Sequence, residues 1–220
     1  MEIRNKSYYT YILMAFFAIG ICMMLYAIVF EKENLPVYNP VDFNPELVDA
    51  SIRNTTSNHT VADFELVNQS GKIITQKDYE NKIYVTDFFF TRCPSICPMM
   101  SNNMEKLQNI FLNENDVMFL SVSVTPALDS VPILRRYADK HGVLDSKWNI
   151  TTGDKKHIYN LARKSYFAAV DQGDGGLQDF IHTPNFILVD REKRIRGVYD
   201  GTKVEEIERI IQDVARLLKD

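Results

Sequence analysis

At 220 residues the chain has room for one well-buried domain and an attached segment, but not for two full catalytic domains. Its 29 acidic and 25 basic side chains leave a net charge of -4 with no dense basic run, so the electrostatic footprint that grips a phosphate backbone is missing. Nucleic acid is accordingly not an expected partner.

Between Ser7 and Phe30 no residue is charged. A span of about 20 such residues crosses a hydrocarbon core of ~30 Å as a helix, so residues 1–30 are expected to form a single transmembrane anchor. The run exceeds the roughly 7 to 15 apolar residues of a signal peptide and no A-x-A-like site follows it, which favours retention over cleavage. Arg4 and Lys6 oppose only Glu2 on the leading flank, whereas Glu31, Lys32 and Glu33 follow the run. That bias places the amino terminus in the cytoplasm and the rest outside the inner (cell) membrane, in the periplasm or its equivalent. Tyr8, Tyr9 and Tyr11 suit an interfacial aromatic belt. Cys22 sits inside the apolar run, where it behaves as a small hydrophobe.

Residues 31–57 hold three prolines and no sustained periodicity, the pattern of an extended linker. The globular part is expected over 58–220. Its first segment, VADFELVNQSGKIIT, reads as a hairpin turning at Ser70 and Gly71. KIYVTDFFF, residues 82–90, has the β-branched and aromatic character of a central strand buried on both faces. From Pro94 the apolar positions Ile96, Met100, Met104, Leu107 and Phe111 fall at helical spacing. VMFLSVSV (117–124) reads as a further strand. A helix follows, opened by Asp129, Ser130 and Pro132 and closed by Gly142. Asp154 can cap another helix through Lys164, after which YFAAV reads as a short strand and DQGDGG as a loop. FILVD and RIRGVYD pair around a turn at Arg191 to Lys193. The final helix carries Val204, Ile207, Ile210, Ile211, Val214, Leu217 and Leu218 on a core-facing stripe. This order implies an α/β fold in which a central mixed sheet is flanked by helices, as in thioredoxin-like folds.

Cys93 and Cys97 stand where the central strand turns into a helix. In an oxidising compartment two nearby cysteines are by default a disulfide, and a metal or redox role has to be weighed against that. Residues four apart on a helix carry Cβ atoms about 5 to 6 Å apart, wider than the ~3.5 to 4.5 Å of a disulfide, a spacing that suits a shared metal or a reversible bridge. The helix start and Arg92 both favour thiolate. Soft thiolates with an imidazole satisfy Cu(I) and, with another ligand, Cu(II). Zinc would want a fourth ligand that the sequence does not offer. Among the histidines, His59, His141 and His157 read as solvated or capping residues. His182, before a buried-looking strand and after a glycine-rich loop, is a candidate ligand that spacing alone does not secure. Met99, Met100 and Met104 could be thioether ligands, but a methionine stripe is more often core filling.

Taken together, FFFTRCPSICP, SVTPALDS and FIHTPNFILVD resemble the SCO/SenC family of copper-binding cytochrome c oxidase assembly proteins, from about Val61 to Leu218. The family's C-P-x-x-C-P segment falls on Cys93, Pro94, Ser95, Ile96, Cys97 and Pro98, and its later histidine on His182. The resemblance implies a thioredoxin-like fold and one copper ion held by Cys93, Cys97 and His182. It also implies delivery of copper to, or reduction of, the dinuclear copper site of cytochrome c oxidase subunit II, or service to another cuproprotein. Pro184 would be a cis-proline. The alternative is a membrane-anchored thiol-disulfide oxidoreductase or peroxidase using Cys93 and Cys97, with a thiol reductant as partner. Two positions depart from many relatives: Thr125 replaces an acidic residue and Ile181 an aspartate.

Overall fold

The structure is a computed structural model that describes residues 3–29, 35–168 and 183–220, with side chains in the first stretch described from Tyr9 to Met24. The chain divides into two units, Met1–Asn34 and Leu35–Asp220. The first is helix α1, Ile3–Val29, whose apolar side chains Leu13, Phe16, Phe17, Ile21 and Met24 are exposed. Counted over the described residues, no helix is long and apolar enough to cross a membrane.

The second unit is built on a seven-stranded sheet in the order β2-β1-β5-β4-β3-β6-β7. Its strands are β1 (Glu65–Asn68), β2 (Ile73–Thr75), β3 (Ile83–Phe89), β4 (Val117–Ser123), β5 (Trp148–Thr152), β6 (Asn185–Val189) and β7 (Ile195–Asp200). Strands β3, β4 and β5 are mutually parallel, and antiparallel pairs extend the sheet on either side. All seven residues of β3 are buried, as a strand covered on both faces requires. Alternation along it splits the core in two. Ile83, Val85 and Phe89 face the helices α2 (Ile96–Ile110), α3 (Val131–Lys140) and α5 (Val204–Leu217). Tyr84 and Phe88 face the opposite side, with Ile158, Tyr159 and Leu161 from α4 (Lys155–Asn160) and the π-helical turn after it. The mixed sheet with flanking helices is therefore as expected.

Three details differ from the sequence reading. Strand β5 was not anticipated, because Asn149 and Thr151 interrupt its apolar pattern. They are buried by donating to Tyr79 Oη at 2.9 Å and to the Ser121 carbonyl at 3.0 Å, so polarity here is core hydrogen bonding, not exposure. Tyr166, Phe167 and Ala168 do not form a strand: Phe167 has φ +52, a left-handed backbone that no strand accommodates, and the three residues are apolar because they are buried. The remainder of YFAAV and the DQGDGG loop lie outside the described residues. No described peptide bond is cis, so Thr183–Pro184 is trans, the form most X-Pro bonds take.

Within the stretch read as a linker, Leu35, Pro40 and Val48 are buried. The backbone there is held by Arg196, which donates to the carbonyls of Leu35 at 2.6 Å and Pro36 at 3.1 Å while its other nitrogen pairs with the buried Asp190 at 2.9 Å. Tyr38 N then donates to Ile195 O at 2.9 Å. Without Arg196, Asp190 would keep its second ion pair, with Arg194 at 2.8 Å, but the carbonyls of Leu35 and Pro36 would lose their donor. Arg196→Met should therefore lower stability by about 2 kcal/mol in denaturant melts and open residues 35–38 to limited proteolysis. A loss indistinguishable from zero would show that the clasp is incidental.

Candidate metal centre

Cys93 lies in the turn between β3 and α2, and Cys97 in the first turn of α2, after Ser95 at the helix N-cap. The pair was expected to be apposed by helical spacing, but Cys93 precedes the helix. A tight turn brings the two together instead, with Cys93 N donating to Phe90 O at 3.3 Å and Cys97 N donating to Cys93 Sγ at 3.5 Å. Pro98 fits here because the amide it lacks would have no helical acceptor. Both sulfurs are buried and free, so the dithiol form is the one described. Ser95 Oγ stands 3.9 Å from Cys93 Sγ.

The two thiols are electrostatically unequal. Burial works to raise the pKa of Cys93, but hydrogen bonds from the backbone amides of Cys97 and Ser95, then from the Cys97 thiol and Ser95 hydroxyl, outweigh it and bring it down to about 6. Arg92, expected to help, is exposed, and the amides supply the effect. Burial pushes Cys97 up to about 12, with the neighbouring Cys93 and Asp87 charges adding to it. Thiolate is thus favoured at one sulfur, not at both.

Asp87 is the site feature that the sequence reading passed over. Its position shares the face of β3 that carries Val85 and Phe89. It is buried, accepts from Ser121 Oγ at 2.5 Å, and Ser121 in turn accepts from Trp148 Nε1 at 2.9 Å. Burial raises its carboxyl to about 7 against the one hydroxyl that stabilises the anion. An aspartate inside KIYVTDFFF, a run otherwise made for burial, was the available signal.

Of the other candidates, Met100 and Met104 are core residues, and Met99 is exposed. His59 Nε2 is 2.9 Å from Ser165 O, and His157 Nε2 accepts from Glu65 N at 3.3 Å while its own amide is capped by Asp154. His141, expected to be solvated or capping, is the C-cap residue of α3 and is buried: it packs on Tyr137 with ring centroids 4.5 Å apart, and desolvation holds its imidazole below the usual range. His182 and Ile181 lie outside the described residues, and among the described residues no three His, Cys, Asp or Glu side chains converge on a metal position. The adjoining strand is informative. Strand β6 runs antiparallel to β3, pairing Thr86 with Ile187, so its first residue, Asn185, lies toward the end of β3 from which Cys93 emerges. Thr183 Oγ1 also donates to Ala168 O at 2.9 Å.

Unequal thiols give a measurable pH signature. Iodoacetamide should modify Cys93 with a rate that rises through a midpoint near pH 6, as the thiolate forms, while Cys97 stays unmodified through neutral pH. Mass mapping of the alkylated cysteine against pH checks this, and equal labelling of both at pH 7 would refute the asymmetry.

The sequence pattern of the SCO1/SenC family matches residues 52–219. The SCO1 protein homolog of Bacillus subtilis is 33% identical over 159 residues, covering 71% of this chain and 82% of that protein. The crystal structure of a SCO1/SenC family lipoprotein from Bacillus anthracis superposes with a TM-score of 0.65 at 34% identity, covering 75% of this chain and 98% of the other. BsSco, described in connection with a disulfide switch and as a member of the Sco family of cytochrome c oxidase assembly proteins, gives a TM-score of 0.62 at 31% identity, with 74% and 96% covered. The chain, with its paired cysteines at the head of α2 and its mixed sheet, belongs to the SCO1/SenC family.

Proposed function

We propose that this protein binds one copper ion through Cys93, Cys97 and His182 and serves in cytochrome c oxidase assembly, delivering copper to the dinuclear site of subunit II or reducing that site. The observation that carries the reading is the pair of free, buried sulfurs held on one turn, with a backbone amide already directed at Cys93. Two soft donors in a buried, low-coordinate setting suit Cu(I), and an imidazole would complete a site from which a partner's thiolates can take the ion by exchange. His182 is supported as the third donor by the direction of β6, which starts three residues after it at the cysteine end of the sheet. The assembly role is supported by membership of the family and by BsSco being one of the cytochrome c oxidase assembly proteins.

The test is metal analysis of anaerobically reconstituted protein together with copper X-ray absorption. About one copper per chain is expected, with sulfur and nitrogen scatterers, and loss of copper on Cys93→Ser, Cys97→Ser or His182→Ala. Absence of copper from the unaltered chain would defeat the proposal.

The low pKa of Cys93 beside a protonated Cys97 also favours a second reading, thiol-disulfide exchange with Cys93 as nucleophile and Cys97 as resolving thiol. His182→Ala separates the two, because exchange should survive it and copper binding should not.

We further infer that the uncharged run within residues 7–30 anchors the protein in the membrane, amino terminus inward and Leu35–Asp220 on the outer side. The run carries no charge, and on α1 the apolar side chains of Leu13, Phe16, Phe17, Ile21 and Met24 are exposed, which supports the reading. Alkaline carbonate extraction should leave the full chain in the membrane pellet; release into the supernatant would contradict an integral anchor.

A further inference from the structure

Asp129 is fully buried just ahead of α3, and no cation is paired with it among the described residues. Such a carboxylate is tolerated only if its lone pairs are taken up. Four donors do so. Thr91 Oγ1 donates to Oδ1 at 2.6 Å, and Thr91 N to Oδ2 at 3.2 Å. Ser123 Oγ and Thr125 Oγ1 also reach Oδ2, at 2.5 and 3.0 Å. The donors come from two separate segments, the turn that carries Cys93 and the end of β4. One carboxylate therefore ties the cysteine turn to the rigid sheet two residues before the sulfur.

We infer that Asp129 is a positioning residue for the cysteine pair: by clamping both backbone and hydroxyl of Thr91, it fixes the turn in which Cys97 N meets Cys93 Sγ. Without the clamp, the turn would be closed across its central residues Thr91 and Arg92 by Cys93 N to Phe90 O at 3.3 Å, a long bond that holds them weakly. With it, the sulfur is presented in one orientation before any ligand arrives, so less ordering remains to be done on binding. Thr125 belongs to the same device. Its hydroxyl adds a donor where an acidic residue would bring a second negative charge against Asp129, and its carbonyl receives the Asp129 amide at 3.0 Å.

In its copper arm the inference rests on the function proposed above, so the test has a copper-free arm as well. Asp129→Asn is the direct variant, and Thr91→Val is the milder one: it keeps the shape and the backbone bond, removes only the hydroxyl, and remains informative where Asp129→Asn does not fold. In the full chain purified in detergent, Thr91→Val should weaken Cu(I) retention against a chromophoric chelator about tenfold, the scale on which groups supporting a metal ligand act. It should also slow alkylation of Cys93 severalfold in copper-free protein at pH 7, and Thr91→Ser should restore both. A folded Thr91→Val protein within twofold of the unaltered chain in both measurements overturns the inference, as does failure of Thr91→Ser to rescue. If the unaltered chain retains no copper while Thr91→Val still slows alkylation, the copper proposal falls and the clamp stands.

Discussion

The site depends on a single change of direction. Strand β3 is buried along its whole length, so its end is fixed by the core and the chain must turn there into α2. The turn aims the amide of Cys97 at the sulfur of Cys93, which turns the unpaired donors of a helix start into a means of holding a thiolate. Asymmetry between the cysteines follows directly. Cys93 receives the amides of Cys97 and Ser95, whereas Cys97 receives that of Phe90 alone and lies deeper, next to Cys93 and Asp87. Burial acts against ionisation at both, and only at Cys93 do hydrogen bonds overcome it.

Two buried carboxylates flank this turn, and the fold treats them in opposite ways. Asp129 has four donors around it and serves as a structural tie. Asp87 has the Ser121 hydroxyl, itself oriented by the Trp148 indole, and its carboxyl is raised to about 7 by burial. A negative charge at Asp87 opposes one at Cys97, so the two positions resist being ionised together. The polar line Asp87, Ser121, Trp148 thus reaches under the site from β3 across β4 to β5, and the strand that completes it is the one whose polar residues hid it from a periodicity reading.

That contrast marks what could be read from the sequence. The central strand, α2 and α5 were legible because each carries a long stripe or an uninterrupted apolar run, α3 because Ser130, Pro132 and Gly142 mark its ends, and the first hairpin because Gly71, with φ +75, stands where a left-handed residue is needed. The cysteine pair was legible as a pair. Its geometry was not, because four-residue spacing suggests a shared helix face, whereas Cys93 stands outside the helix. The capping role of His141 at the end of α3 was legible from the glycine after it, but its burial was not, because nothing local announces that Tyr137 and Asn102 will cover it. Asp129 could be recognised as the mark of a helix start, but its partners Thr91, Ser123 and Thr125 meet only in three dimensions.

The same geometry would suit the proposed metal capture and thiol exchange alike, and the two would differ in what they ask of Cys97. Exchange needs Cys93 as the attacking thiolate, and a protonated Cys97 suits the waiting phase of that chemistry. A soft metal held by both sulfurs needs Cys97 to give up a proton that burial and the neighbouring charges otherwise retain. A bound cation would supply positive charge against the balance that Asp87 and Cys93 impose on Cys97. A site so arranged would keep Cys97 protonated until a cation is bound. In that state a preset turn is worth more than a flexible one, because the backbone needs no reordering while the proton leaves.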